Sequence, residues 1–330
     1  MTTPEEALWS PRPLGRPQPG ATEKVRVVEV GPRDGLQAEQ QPLPSAVKRE
    51  LCERLWYAGA QSVEITSFVP PGWVPQLADA AELTAALSFP QSTRSIALVP
   101  NLHGLERARA AGYREVSAVA SCTESFARAN LNATAEEAFE RVGQIVAAAR
   151  PAGIPVRGYL SMSFGDPWEG HTSPEKAGEF AARLHRLGCS TVAISDTIGT
   201  ATPQHTKDVL AAAAAAGLPV EATALHMHDT YGLALTNVYA ALEEGVTEFD
   251  SSIGGLGRCP YAPGAAGNLA TEDLVWMLEG LGVDTGLDLD LLADTSGWIS
   301  GHLGRRSPSR VVRAFSARAA HRRITDPDTT

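Results

Sequence analysis

Short apolar runs rich in Val, Ile and Ala alternate with longer amphipathic stretches rich in Ala and Leu between residues 25 and 285. The apolar runs are predicted strands at 25–30, 62–66, 95–99, 115–120, 156–161, 191–195, 222–228 and 248–252. The amphipathic stretches are predicted helices at 45–58, 77–87, 102–111, 135–152, 174–187, 203–216, 233–244 and 271–281. The strand runs lack a strict two-residue alternation, which is typical of parallel strands buried on both faces. Eight strand–helix units in about 260 residues predict an α/β fold, a closed (β/α)₈ TIM barrel.

Residue types at the helix ends support these boundaries. Three helices are predicted to begin after Thr134, Ser173 and Thr202, whose side chains can accept a hydrogen bond from the first turn. Six helices are followed by glycine, the residue most common at the left-handed position after a helix. These glycines are Gly59, Gly112, Gly153, Gly188, Gly217 and Gly245. The alternative, an open dinucleotide-binding sheet, is disfavoured because the glycines at 255 and 257 are followed by no third glycine and no helix.

The two ends of the chain differ from the barrel region. Residues 1–24 contain five prolines and no apolar period, so we expect a flexible Pro-rich leader. Residues 25–285 are the predicted catalytic barrel, and residues 286–315 are a predicted helical extension packed on it. The segment from 305 to 330 has seven arginines and two aspartates, and its last part, 316–330, is expected to be a disordered basic tail. A basic tail can contact phosphates, and the simpler interpretation is a solvated or inter-subunit segment.

Composition excludes several classes of protein. The net charge of −10 argues against general nucleic-acid binding. No apolar run reaches the roughly 18 to 20 residues of a membrane span, and the chain start lacks the pattern of a secretory signal, so we expect no membrane partner. The four cysteines are far apart and form no Cys-x-x-Cys pair. This argues against a disulfide framework and favours a location in the reducing cytoplasm.

Polar side chains follow the predicted strand ends, where a TIM barrel places its active site. His226 and His228 are two residues apart at the end of the seventh strand, so they face the same side of it. Both imidazoles can point into the barrel mouth and bind one metal ion, with oxygen atoms as the remaining ligands. Asp34 is the first candidate for such an oxygen, and the alternative for Asp34 is a turn or helix cap. This ligand set suits Mg²⁺ or Mn²⁺ and could accept Zn²⁺ or Co²⁺.

Cys259 lies in a loop rich in glycine and proline between residues 254 and 267. Most free cysteines are buried core residues, and Cys52 and Cys189 fit that description. A loop cysteine that follows Arg258 near a metal site fits better a thiol of lowered pKa that transfers a proton. The alternative is an incidental loop cysteine. A protease-like Cys–His pair is poorly supported, because the metal needs both histidines.

Five segments of the chain carry motifs of a known family. They are VGPRDGLQ at 30–37, EITSFV at 64–69, DTIG at 196–199, HMHDTYG at 226–232 and GLGRCPYAPGAAGNLATED at 255–273. Over about residues 25–315 the chain resembles the 3-hydroxy-3-methylglutaryl-CoA lyase family. The first and last segments are specific to the lyases, whereas the His-x-His pair alone is shared with isopropylmalate synthases and hydroxy-oxo-acid aldolases.

The resemblance implies cleavage of (3S)-3-hydroxy-3-methylglutaryl-CoA to acetyl-CoA and acetoacetate, as in leucine degradation. It also implies a metal-dependent enzyme that is a homodimer and that binds an acyl-CoA as its small-molecule substrate. The implied metal ligands are Asp34, His226, His228 and Asn268. Arg33 is implied to bind and polarise the thioester carbonyl, and Cys259 to be the acid or base of the loop. Glu64 and Asp196 are further catalytic candidates, and Gln37 and Tyr159 are candidates for substrate binding.

Some positions differ from the family pattern. Met162 and Asp166 stand where the family usually has cysteines, and Arg258 stands where it usually has glycine. Ala193 and Ser195 stand where serine and glycine are usual. Because these differences bear on the acyl pocket and not on the ligands, a lyase for another 3-hydroxyacyl-CoA is the main alternative. A Claisen synthase, a hydroxy-oxo-acid aldolase and a non-catalytic acyl-CoA-binding barrel are the others.

Overall fold

Eight parallel strands form a closed barrel in the computed structural model, which describes residues 24–257 and 266–325, with side chains up to residue 318. The strands are β1 (Arg26–Glu29), β2 (Ser62–Ser67), β3 (Arg94–Leu98), β4 (Glu115–Ser121), β5 (Val156–Ser161), β6 (Thr191–Asp196), β7 (Thr223–Met227) and β8 (Glu248–Ser251). Each strand pairs with the next, and β8 closes the barrel by pairing with β1. The predicted TIM barrel is confirmed, and the predicted strand ends agree to within a residue.

The helix that follows each strand lies outside the barrel wall. These helices are α1 (Ser45–Tyr57), α2 (Ala80–Ala86), α3 (Leu102–Ala110), α4 (Ala135–Ala149), α5 (Pro174–Leu187), α6 (Pro203–Ala215), α7 (Ala234–Glu243) and α8 (Thr271–Gly280). The predicted caps are confirmed, because Thr134, Ser173 and Thr202 each accept a backbone N–H of their own helix. All six predicted terminal glycines have positive φ.

The second helix is shorter than the prediction of 77–87. A 3₁₀ turn at Pro75–Leu77 comes first, and α2 begins only at Ala80. The side chain of Asp79, at the break, binds two residues of α1: it lies 2.6 Å from Lys48 Nζ and accepts a hydrogen bond from Ser45. These contacts with α1 keep the residues before Ala80 out of the α-helix that the local sequence pattern predicts.

Two helices follow the barrel, α9 (Leu289–His302) and α10 (Arg310–Thr325). α9 packs on α1 and α8, and α10 packs on α8 and α9. The predicted disordered tail from 316 onward is not what the structure shows, because α10 continues to Thr325. The reason is composition: alanine and arginine, which have high helix propensity, make up most of these last turns. Residues 1–23 of the predicted leader and residues 326–330 lie outside the described residues.

The main apolar core lies between the barrel wall and the surrounding helices. Inside the barrel, the amino ends of the strands are filled by ion pairs that join Arg94 to Glu115 and both Arg94 and Arg157 to Glu248. The carboxyl ends of the strands are therefore the end that opens into a cavity. No helix in the described ranges has both the length and the hydropathy needed to cross a bilayer.

Candidate active site

The turn that follows β1 carries two of the predicted site residues. Residues Gly31–Gly35 form a short π-helical turn, which the N–H groups of Asp34 and Gly35 close on the carbonyl of Val30. Arg33 and Asp34 both project from this turn, and Arg33 Nη1 donates to Asp34 Oδ1 at 2.6 Å. The turn brings a carboxylate and a guanidinium to the centre of the barrel mouth.

The end of β7 supplies the two histidines. His226 lies within the strand and His228 just after it, and their ring centroids are 5.3 Å apart. The chain returns beside them after the loop that follows β8: Leu269 N donates to Met227 O at 2.9 Å, and Ser252 N donates to Leu269 O at 2.9 Å. This return places Asn268 opposite His228 in a short bridge.

Asp34, His226 and His228 form a group that could hold a metal ion. Their ligand atoms all lie within 4.8 Å of one another. Burial alone raises the pKa of Asp34, but Arg33 and the two histidines hold it well below its ordinary value. Burial and the neighbouring His226 lower the pKa of His228 to about 4. An ionised carboxylate and a neutral imidazole are the forms that bind a cation.

Asn268 has the position and the free atom expected of a fourth ligand. Its Nδ2 donates to Asp34 Oδ2 at 2.8 Å and to Leu256 O at 2.9 Å. Its Oδ1 is buried and has no hydrogen-bond partner among the described residues, and the same holds for Nδ1 of His228. Buried polar atoms are normally satisfied, so two unpaired atoms beside one carboxylate fit residues that bind a cation. Two nitrogens with oxygens from a carboxylate and an amide fit a divalent cation.

A second carboxylate orients His226. Asp250 on β8 lies 3.1 Å from Nδ1 of His226, which leaves Nε2 as the nitrogen available to a metal. Asp250 in turn accepts a hydrogen bond of 2.6 Å from the fully buried Arg157. The effect of burial on the pKa of His226 is downward, but Asp250 raises it above its ordinary value.

Arg33 is held between carboxylates and an aromatic ring. Its Nε donates to Glu64 Oε2 at 2.5 Å, and Glu64 Oε1 accepts from the hydroxyl of Ser117. The ring of Tyr159 lies between Arg33 and Arg157, with the guanidinium carbons 5.6 and 5.4 Å from its centroid. The Tyr159 hydroxyl is buried without a hydrogen-bond partner in the described part of the chain, and burial raises its pKa well above the ordinary value. Tyr159 thus keeps its proton and can act as a hydrogen-bond donor.

A cavity of about 880 Å³ opens over these residues. Arg33, Asp34, Gln37, Tyr159, His226 and His228 line its inner end. Val69, Trp73, Asn101, Asn130, Leu131 and Arg141 are among the residues that line the rest. This volume falls within the range of small-molecule and cofactor sites and leaves room for more than a short acyl group.

Comparison with known proteins assigns the chain to a family. The profile of the HMGL-like family matches residues 24–299, which is most of the chain and includes every site residue described above. The chain belongs to the HMGL-like family.

Named relatives of this HMGL-like chain are similar over nearly their whole length. It is 47% identical over 292 residues to the mitochondrial hydroxymethylglutaryl-CoA lyase of Gallus gallus, covering 88% of this chain and 98% of that one. Among solved structures, a hydroxymethylglutaryl-CoA lyase from Pseudomonas aeruginosa has 43% identity and a TM-score of 0.88, covering 91% and 100% of the two chains. An HMG-CoA lyase from Acinetobacter baumannii, in complex with coenzyme A and 3-methylmalate, has 36% identity and a TM-score of 0.84, covering 88% and 95%.

The predicted site residues of the HMGL-like chain are not all in one place. Seven of them form or surround the metal group: Arg33, Asp34, Glu64, Tyr159, His226, His228 and Asn268. Gln37 lines the same cavity. Asp196 does not line it; its two oxygens accept the backbone N–H groups of Thr200 and Ala201, each at 2.9 Å, so it orders the loop before α6.

Cys259 and Arg258 lie outside the described residues. The chain on either side of this segment passes close to Asn268. A Cβ added at Gly257 would lie 2.5 Å from Asn268 Nδ2, and one added at Gly267 would lie 2.3 Å from the carbonyl oxygens of Gly255 and Gly257. The described residues on both sides of this segment, Gly257 and Gly267, therefore lie beside the site.

Two residues of the site were missed from the sequence, Asp250 and Arg157. Both lie in buried strands and are at most 2% exposed. A signal for Asp250 was present, because Glu248, Asp250 and Ser252 alternate along the last strand and must share its inner face. No comparable signal marks Arg157, whose role depends on a partner more than 90 residues away.

Glu272 in the first turn of α8 leads to a prediction on stability. Its carboxylate accepts the N–H of Gly254 at 2.9 and 3.0 Å, and burial raises its pKa from 4.5 to about 8. An acid whose pKa is higher in the folded than in the unfolded protein stabilises the fold at a pH below its pKa in the unfolded protein. This contribution is lost as the pH rises through its pKa in the folded protein. The free energy of unfolding of wild type minus that of Glu272→Gln should fall by about 4 kcal/mol from pH 4.5 to pH 8, at about 1.4 kcal/mol per pKa unit. Urea titrations of the metal-free proteins measure it, and a pH-independent difference would contradict it.

Proposed function

We propose that this carbon–carbon lyase cleaves the C2–C3 bond of 3-hydroxy-3-methylglutaryl-CoA to give acetyl-CoA and acetoacetate. The observation that carries the proposal is the position of Arg33, which touches Asp34 of the possible metal group and faces the same cavity. Cleavage of a 3-hydroxy thioester needs a cation beside the hydroxyl and a positive charge beside the thioester carbonyl. The relatives named as hydroxymethylglutaryl-CoA lyases support the same substrate.

The residues that would hold a divalent metal are Asp34, His226, His228 and Asn268. When bound, such a cation lowers the pKa of the 3-hydroxyl and helps it to lose its proton. The oxygen-containing donor set supports Mg²⁺ or Mn²⁺ as the metal, and Zn²⁺ or Co²⁺ could replace them. Asp250 holds His226 with Nε2 free for this purpose.

Arg33 meets the charge that develops on the thioester. When the C2–C3 bond breaks, its electron pair moves onto C2 and the thioester becomes an enolate. A guanidinium has five N–H donors, and Glu64 and Asp34 account for three of those of Arg33. The remaining donors can stabilise the enolate oxygen as it forms. Glu64 and Ser117 fix the orientation of the guanidinium, and Tyr159 and Gln37 line the pocket for the acyl chain.

A proton must then reach C2 to form acetyl-CoA, and it balances the proton that the 3-hydroxyl has lost to a base. We propose Cys259 as the acid, because in sequence it lies between Gly257, which approaches the Asn268 side chain, and Gly267, which directly precedes Asn268. Asp196, the other acid considered, is occupied by two backbone N–H groups and better suits ordering of the loop.

A lyase for another 3-hydroxyacyl-CoA is the second candidate, and Ser195 is the observation that favours it. Met162 and Asp166 do not line the cavity, and Asp166 binds the hydroxyl of Thr123 and two backbone N–H groups instead. Ser195 does line the cavity and pairs in register with His226. Its side chain, where the family usually has glycine, narrows the pocket beside the metal group.

The test is product analysis of the purified chain after removal of metal. It should be mixed with 3-hydroxy-3-methylglutaryl-CoA and other 3-hydroxyacyl-CoA thioesters, with and without Mg²⁺ or Mn²⁺, and the products identified by mass spectrometry. We expect acetyl-CoA and acetoacetate only with metal present, and the highest kcat/KM for the methylglutaryl thioester. Full activity of metal-free protein would contradict the metal site. A higher kcat/KM for another thioester, reversed by Ser195→Gly, would support the second candidate.

Assembly and location are further proposals. The resemblance to the family supports a homodimer, which light scattering of the purified chain would measure. The isolated cysteines support a cytoplasmic location. Relatives named as mitochondrial and as cytoplasmic both occur, so fractionation of cells that express the chain is the relevant measurement.

A further inference from the structure

Glu29, the last residue of β1, is a buried carboxylate with no part in the chemistry described above. It is 2% exposed and does not line the cavity. It nevertheless accepts three hydrogen bonds: from Gly31 N at 2.8 Å, from Ile253 N at 2.8 Å and from the Thr271 hydroxyl at 2.6 Å. Burying a carboxylate is unfavourable unless its oxygens are satisfied, so the three donors are needed to keep it there.

The three donors belong to three segments that build the site. Gly31 begins the turn that carries Arg33 and Asp34. Ile253 begins the 3₁₀ turn after β8, which leads to Leu256, the carbonyl partner of Asn268. Thr271 is the first residue of α8 and follows Asn268 by three positions.

The Glu29 side chain thus connects the turn after β1, at the start of the barrel sequence, with the segments after β8, at its end. Thr271 is also in hydrogen-bond contact with Ser251 at 2.8 Å, which ties the start of α8 to the end of β8. Space around the carboxylate is tight: a Cβ added at Gly31 would lie 2.6 Å from Glu29 Oε1. A displacement of Glu29 would move the turn that bears Asp34 relative to the return segment that bears Asn268. The Asp34–Asn268 hydrogen bond of 2.8 Å spans that same gap.

We propose that Glu29 is a positioning residue that sets the spacing between Asp34 and Asn268 and so determines the affinity of the site for a divalent cation. The inference rests on the metal site of the proposed function. Glu29 forms its hydrogen bonds with Gly31, Ile253 and Thr271 and not with the four ligands, so it acts on them through the β1 turn and the start of α8. Burial raises its pKa to about 7, consistent with a carboxylate retained for geometry at a site where it is poorly solvated.

The test is the dissociation constant for Mn²⁺ alone, measured by electron paramagnetic resonance on the full chain. Glu29→Leu removes both acceptor oxygens, and with them all three hydrogen bonds, and should weaken Mn²⁺ binding by about 10-fold or more, the usual scale for residues that support metal ligands. Glu29→Gln keeps one oxygen for the two backbone N–H groups and should stay within about threefold of wild type, since it retains most of the hydrogen bonds.

Thr271 offers a milder pair of variants if Glu29→Leu does not fold. Thr271→Val removes one donor and should weaken Mn²⁺ binding by a smaller but measurable factor, whereas Thr271→Ser keeps the hydroxyl and should match wild type. Val209→Ala in the core face of α6 is the stability control, because it should lower the melting temperature and leave the Mn²⁺ affinity unchanged.

The outcomes separate this inference from the proposed function. Wild-type Mn²⁺ affinity in folded Glu29→Leu, or in Thr271→Val, would overturn the role of Glu29 alone. Equal weakening in Val209→Ala would also overturn it, because the effect would then be one of stability. Failure of the wild-type chain to bind Mn²⁺ would instead contradict the metal site itself.

Discussion

Arg33→Met should lower kcat by a factor on the order of 10² to 10³ while the protein keeps its ability to bind metal. The lost guanidinium is the group that meets the enolate oxygen, and removal of one such donor has effects of this size in other enzymes. Metal affinity should be kept or improved, because the cation and Arg33 both interact with Asp34 and a neighbouring positive charge is removed. Steady-state kinetics with metal titration measures both quantities.

Two further variants show whether charge or geometry is responsible. Arg33→Lys keeps the charge but loses the planar fork that binds Glu64 and Asp34 together, so we expect a large loss there as well. Arg114→Met is the matched control, because Arg114 is exposed and far from the strand ends that form the site. A kcat of Arg33→Met within tenfold of wild type would mean that a group other than Arg33 stabilises the enolate.

Cys259→Ala should lower kcat by a factor on the order of 10² to 10⁴, the contribution of a positioned acid or base. Fold and metal content should be unchanged, because none of the metal ligands is removed. Cys259→Ser should not restore activity, since a hydroxyl is far less acidic than a thiol, whose ordinary pKa is about 8.5. Alkylation of Cys259 should stop turnover, and bound substrate should protect against it.

The other three cysteines are the controls for this experiment. Cys52, Cys122 and Cys189 are buried, and burial raises the pKa of each thiol, to about 12 for Cys122 and Cys189. Their alanine variants should keep near-normal kcat, and the thiols should react slowly with alkylating agents. Near-normal kcat in Cys259→Ala would mean that a different acid delivers the proton to C2.

Local rules were sufficient for most of the barrel. Glycines with positive φ and Thr or Ser caps marked the helix ends, because these signals depend only on residues close in sequence. The histidine pair was predicted for the same reason: two residues on one strand face the same side whatever the rest of the fold does. The predicted start of α2 was wrong, because the observed start depends on contacts of Asp79 with a different helix.

The sequence predicted most residues of the site but not the hydrogen bonds that join them. Arg33 and Glu64 were both candidates, but their hydrogen bond could be seen only when β1 and β2 were placed side by side. Asp196 had the same strand-end position as the other candidates, and only the loop conformation shows that its oxygens are occupied by backbone N–H groups. The partners Asp250 and Arg157 depend on pairing across the barrel, which no local pattern reports.

The close approach of Gly257 and Gly267 has a consequence for the entropy of the chain between them. No Cβ fits at Gly267 beside the two carbonyl oxygens of Gly255 and Gly257, so these glycines pin both ends of the intervening segment. Once the ends of a loop are fixed by their surroundings, each doubling of its length changes the closure free energy by only about 0.6 kcal/mol. Insertions and deletions between the two glycines are therefore thermodynamically mild, and Asn268 keeps its position through them. The close contacts of Gly257 and Gly267 therefore protect the fold and the position of Asn268 against changes in the length of the chain between them.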